Sequence, residues 1–119
     1  MSTTCTALIV PARLSQRVRV EAIDPTLATL QDLVEGNVEA ITSSDWHVYL
    51  NDEGDAINLP ANGRAEVLIR EAGVFLEDSF SGTAVFLGHG RHVNRADAPG
   101  HLIRLAERLF DTELAAELT

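Results

Sequence analysis

Apolar residues follow two rhythms along this chain, one of period two and one of spacing three to four. Cys5-Thr6-Ala7-Leu8-Ile9-Val10 is a short apolar run closed by Pro11, which predicts a strand buried on both faces and ended where a ladder donor is lost. Arg17 to Glu21 alternates strictly, with Val18 and Val20 on one face, and predicts a half-buried strand. Asp24-Pro25 then reads as a helix start, an aspartate cap followed by a proline at the first helical position. Leu27, Leu30 and Val34 give the helical stripe, and Gly36 stands where a left-handed terminator belongs. Asp32 and Glu35 fall near the C-terminal end of this helix, where the macrodipole disfavours acids. Val38 to Ile41 and Trp46 to Leu50 predict two more strands, the second with Trp46, Val48 and Leu50 on its core face.

From Asn51 to Arg64 turn residues crowd together. Asp52-Glu53-Gly54-Asp55 suits a tight turn, after which Ala56 to Leu59 is expected to return briefly against the preceding strand. Asn62 is placed to cap a helix with Ala65, Leu68, Ile69 and Ala72 on its stripe and Gly73 as terminator. Val74-Phe75-Leu76 is apolar but brief, and Thr83 to Leu87 reads as an interior strand beside the first. Asp97-Ala98-Pro99 repeats the aspartate-proline helix start ahead of Leu102, Ile103, Ala106, Leu109 and Phe110, and Asp111-Thr112 restarts a last short helix carrying Leu114 and Leu118. The pattern predicts one α+β domain over residues 1–119: a mostly antiparallel sheet of about five strands with two or three helices packed mainly on one face, in the order ββα, ββα, βα.

Composition narrows the function more than the fold. A chain of 119 residues, 45% hydrophobic, can bury one core without disulfides or metal. Cys5 is its single cysteine, so no internal disulfide and no cysteine-based zinc site can form, and a buried thiol is expected. The apolar run Ala7 to Val10 is too short for a signal peptide or a membrane span, which predicts a cytoplasmic protein. Net charge is −9, and all nine basic residues are arginine. That balance argues against direct binding to nucleic acid or anionic membrane, and the absence of lysine removes Schiff-base and P-loop chemistry. The acids are unevenly spread: Glu21, Asp24, Asp32, Glu35, Glu39, Asp45, Asp52, Glu53 and Asp55 follow one another with no Lys or Arg between Val20 and Gly63. By contrast, Gly88 to Arg108 holds Arg91, Arg95, Arg104 and Arg108 with His89, His92 and His101.

No catalytic motif is present, and no enzyme activity or cofactor is expected. His89 and His92 with His101 form the best metal constellation, but Gly88 and Gly90 oppose a helical turn there and no carboxylate or cysteine completes the set. Gly88-His89-Gly90-Arg91-His92 after an apolar strand, with Arg95 beyond, is the candidate anion or nucleotide loop, although it lacks the third glycine of a dinucleotide fingerprint. Asp52 to Asp55 does not match a calcium loop, since Glu66 stands at the wrong offset. Turn and capping duties account for Asn51 and Asn62. The acidic tract has a collective meaning: gathered on one face, Asp24, Asp32, Glu35, Glu39, Asp45, Asp52, Glu53 and Asp55 would make a surface able to mimic nucleic-acid phosphates.

The ordered set Leu30 to Ala40, Tyr49 to Gly54, Asn62 to Ala65 and Gly82 to Gly88 resembles a family of uncharacterised proteins, a domain of unknown function met in actinobacteria and in their phages and plasmids. The resemblance covers Ala7 to Gly88 and leaves the segment from His89 onward unmatched. It implies a mobile-element setting, and with it a host-directed, non-enzymatic interaction protein in the host cytoplasm that binds or inhibits a host protein. Two other readings stand beside this one: a small-ligand or nucleotide binder using His89, Arg91, His92 and Arg95, and a homodimer formed through the helix from Asp97 to Phe110.

Overall fold

The structure is a computed structural model and describes residues 4–54, 57–77, 79–89 and 95–114. Five strands, β1 (Cys5–Val10), β2 (Arg19–Ile23), β3 (Val38–Thr42), β4 (Trp46–Asn51) and β5 (Ala84–Gly88), form one sheet in the order β2-β1-β5-β4-β3 with every pairing antiparallel. Three helices accompany it: α1 (Leu27–Val34), α2 (Gly63–Glu71) and α3 (Gly100–Phe110). The α+β fold and its ββα, ββα, βα order are those the hydrophobic pattern predicts.

The two continuously apolar runs, β1 and β5, are the ones buried on both faces. Leu8, Val10, Ala84 and Phe86 look towards α2 and α3, where Leu68, Ile69, Leu102, Ile103 and Ala106 close the larger core with Trp46, Val48 and Leu50 of β4. Ala7, Ile9, Val85 and Leu87 look the other way, towards Leu30 and Val34 of α1. Two helices therefore cover one face and a single short helix the other. α3 spends Leu102, Ile103 and Ala106 of its stripe on this chain's own core.

Several local expectations are displaced by one or two residues. Thr26, not Asp24, caps α1, its Oγ1 accepting from the Thr29 amide at 3.2 Å, so Pro25 lies before the cap. Glu35, not Gly36, takes the left-handed conformation at the end of α1 (φ 66°), while Gly36 is needed for space: a Cβ there would meet Asn51 Nδ2 at 2.6 Å. Of the brief strand expected over Ala56 to Leu59, Ala56 lies outside the described residues and the rest is not strand, because the Ile57 amide bonds to Glu53 O at 3.1 Å and the Leu59 amide to Gly54 O at 2.9 Å, which coils Ile57 and Asn58 into a turn. Asp97 does not cap α3, since its Oδ1 accepts from the Thr6 amide at 2.7 Å and ties the helix entry to β1. Asp111 closes α3 in the left-handed region (φ 49°) and Leu114 beyond it is buried, while most of the expected last helix, with Leu118, lies outside the described residues.

Two asparagines hold the joints of this frame. Asn51 donates to Val34 O at 3.0 Å and accepts from the Glu53 amide at 2.7 Å, tying the end of α1 to the end of β4. Asn62, fully buried, donates through Nδ2 to Val10 O at 2.8 Å and Gly82 O at 2.9 Å, and accepts from the Ala65 amide at 3.0 Å as the cap of α2. Arg64 then reaches back from α2, its Nη2 donating to the carbonyls of Pro11, Arg13 and Gln16 at 2.6, 3.0 and 2.7 Å and clamping the β1–β2 connection. Burial pushes its guanidinium pKa down, yet a guanidinium titrates so far above neutrality that it keeps its charge.

Candidate functional site

The arginine-histidine region sits at the sheet end where β5 finishes. Gly88 and Ala96 exchange two backbone hydrogen bonds (2.9 and 2.8 Å), so the connection between β5 and α3 is pinned at its base. A Cβ at Gly88 would press on the Asp97 carbonyl, which makes glycine necessary there. His89 follows, its amide bonded to Asp45 O at 3.2 Å and its Nε2 to Ser43 O at 2.9 Å; facing a carbonyl, that nitrogen carries the proton. Arg95 donates from Nη1 to Pro25 O at 2.9 Å and lies with its guanidinium carbon 5.6 Å from the centre of the Tyr49 ring, with Nε 3.4 Å from the Tyr49 hydroxyl. Pro25 O is available because α1 begins only after it.

Between those two residues lies a row of rings. His47 and His89 are 4.4 Å apart centre to centre, and His47 and Tyr49 are 5.8 Å apart, while Thr42 Oγ1 holds His47 Nδ1 at 2.9 Å. The imidazoles pack with their planes tilted by 34°, and Nδ1 of His47 and Nε2 of His89 are directed to different protein groups, an arrangement that suits packing and not chelation. His101 stands apart, its Nε2 2.7 Å from Asp45 Oδ2. Among the described residues no three His, Cys, Asp or Glu side chains gather to hold a metal ion. Arg91 and His92 lie outside the described residues, so of the candidate ligand loop only His89 and Arg95 are placed, and the polar groups named above are bonded within the chain. Cys5 is buried near by, with Arg95 O 3.7 Å from its Sγ, and burial followed by the charge of Asp97 raises its thiol pKa.

The acidic tract is divided by the antiparallel fold. Asp24 follows β2 and Asp45 precedes β4, at the sheet end marked by Cys5 and Gly88, whereas Glu35, Asp52 and Glu53 lie at the opposite end with the C-terminus of α1. Asp32 and Glu35 share a cleft of about 280 Å³ with Arg13 and Arg19, so that side carries both signs. Glu39, Asp52 and Glu53 line a different cleft, of about 270 Å³, bounded by Gly54 and by Ser79 to Ser81 and, among the described residues, without a basic one in its lining. Asp55 lies outside the described residues. Next to this cleft, and sharing Glu39, Ser79 and Phe80 with it, runs a groove of about 380 Å³ along β3: Ile41 and Leu50 form its floor, and Phe75, Leu76 and Glu77 its wall. A larger concavity, about 750 Å³, follows the outer face of α3, but its lining mixes Arg104 and Arg108 with Glu107, Asp111 and Glu113, and Glu107 already accepts from the Leu114 amide at 2.7 Å.

Compared with known protein families, residues 5–111 match a domain of unknown function, DUF3846. The chain belongs to this family. The DUF3846 match runs past Gly88 and includes α3, so the segment left unmatched by the sequence resemblance is largely part of the same domain, as its place in the core requires. No curated protein and no solved structure matches the chain. Among its described residues no helix is long and apolar enough to cross a membrane.

In this DUF3846 domain the groove beside β3 is the feature that sequence reasoning missed. Its parts come from three separated segments, and only Val74-Phe75-Leu76, an apolar run too short for a strand, signalled that a hydrophobic residue would be left outside. Phe75 is 84% exposed. The His47–Tyr49 row was half legible, since alternation puts both on one face of β4, while its partners His89 and Arg95 arrive from β5 and beyond.

Proposed function

We propose that this protein works by binding another protein and not by catalysis, through the acidic edge formed by Glu39, Asp52, Glu53 and Glu77. The observation that carries this reading is the lining of the two adjoining concavities beside β3, which among the described residues contains four carboxylates and no arginine or histidine. Such a one-signed, concave surface attracts a basic partner and repels acidic ones, including nucleic acid. A phage- or plasmid-borne origin, with a host protein as the partner in the host cytoplasm, fits the same reading, and a partner whose basic groove normally receives nucleic acid would be blocked by it.

Affinity capture from an extract of the source cell, followed by mass spectrometry, tests the proposal. A discrete protein partner held at low salt, lost at high salt and lost in the Glu39→Arg, Asp52→Arg, Glu53→Arg triple variant is the expected result. A partner retained equally by that variant, or no protein partner at all, would refute it.

A further inference from the structure

We infer that β3 is a strand-addition site, and that the segment it receives is extended and carries basic and apolar side chains in alternation with small polar ones. This rests on the reading of the acidic edge as a binding surface and specifies how that surface is used.

Among the described residues the sheet order ends in β3, which pairs with β4 on one side only. The Asp52 amide bonds to Asn37 O and the Ser43 amide to Trp46 O, fixing the bonded pairs of the ladder at Glu39 with Leu50 and Ile41 with Val48. The backbone donors and acceptors of Val38, Ala40 and Thr42 consequently point away from the sheet, a template about 17 Å long for another strand. Natural edges are usually blunted by proline, bulges or inward charges; β3 has one such charge, Glu39, and neither a proline nor a bulge. The other edge, β2, carries the Arg19–Glu21 pair, with Nε 3.3 Å from Oε2. β3 reads Val-Glu-Ala-Ile-Thr, pairs over five consecutive residues without a bulge, and has exposed Ala40 at its centre.

What lies beside the edge defines the occupant. Glu39 and Ile41 face the same side as Leu50, over the groove walled by Phe75, Leu76 and Phe80. A strand added to β3 projects alternate side chains towards that groove, so an apolar side chain meets Ile41 and Phe80 while basic ones beside it meet Glu39 and Glu77. A second copy of this chain does not suit the site, because pairing two β3 edges would bring the Glu39 and Glu77 carboxylates of both copies together. Charge complementarity selects a foreign, basic segment.

The probe is a labelled peptide, acetyl-Thr-Arg-Thr-Val-Thr-Arg-Thr-amide, which places Arg, Val and Arg on one face and threonine on the other. Fluorescence anisotropy is expected to show it binding the full chain at least tenfold tighter than the peptide with Glu in place of Arg. Methylating the backbone nitrogens of one alternate set should weaken binding at least tenfold, while methylating the other set leaves it within twofold, because only one set faces β3. Ala40→Pro removes an outward donor without touching the ladder to β4, so it should keep cooperative unfolding and lose the peptide. Equal binding by both methylated peptides would overturn strand addition while leaving the acidic surface intact, and so would a captured partner that the peptide fails to displace. Self-association abolished by Ala40→Pro would overturn the choice of occupant. If Ala40→Pro fails to fold, the two methylated peptides still decide the question.

Discussion

The Asn62 side chain makes three hydrogen bonds from a site with no exposure to solvent, and each serves a different part of the fold: β1 through Val10, the entry to β5 through Gly82, and the first turn of α2 through Ala65. Replacing it with alanine removes the cap and leaves the Val10 and Gly82 carbonyls short of a donor where water cannot reach. Asn62→Ala should therefore cost about 2–4 kcal/mol, the sum of a lost cap and a buried unsatisfied group, measured as a shift in the urea midpoint. Asn62→Asp keeps the acceptor for Ala65 but presents carboxylate oxygens to two carbonyls, so it should be at least as damaging. The capping role was legible in the sequence, because an asparagine three residues ahead of a helical stripe has few other uses. The two carbonyl contacts were not, since Val10 is 52 positions away and nothing in local pattern encodes that reach.

The strands and helices follow from spacing wherever one element supplies its own signal. β1, β4, β5 and the stripes of α2 and α3 are read directly from the period of their apolar residues. Misplacements occur where a tertiary contact overrides a local cue: Asp97 gives up a cap for the Thr6 amide, and Gly36 gives up the left-handed position because its flat profile is needed beside Asn51. The same logic decides the fate of α3. A chain ended before Asp97 would uncover Trp46, Val48 and Phe86, which α3 helps to cover within the larger core. It should lose its near-ultraviolet circular dichroism and its cooperative unfolding, whereas a helix serving only as a dimer face would leave both unchanged. Of the candidate site, the acids were legible one by one. Their division between the two sheet ends was not, because it depends on strand order.

Charge acts on the molecule as a unit. With a net charge of −9 on a body of 37 × 31 × 26 Å, self-repulsion opposes the compact state, and at 0.01 M salt the screening length of about 30 Å spans the whole protein. Raising sodium chloride from 0.01 to 0.15 M cuts that length to about 8 Å and should raise the thermal midpoint by roughly 4 °C, about the effect of 1 kcal/mol in a domain of this size. A midpoint that falls with salt would mean that ion pairs such as Arg19 with Glu21 and Arg70 with Glu66 outweigh the repulsion. The central place of β5 also bears on how the chain is made. The hairpins β1–β2 and β3–β4 are synthesised first, and no strand pairing joins them until Ala84–Gly88 leaves the ribosome and slots between β1 and β4. Until then a nascent chain carries two separate hairpins with open inner edges. Completion of the sheet must wait for a late strand that makes only long-range pairings, the kind of topology whose loop-closure entropy slows folding.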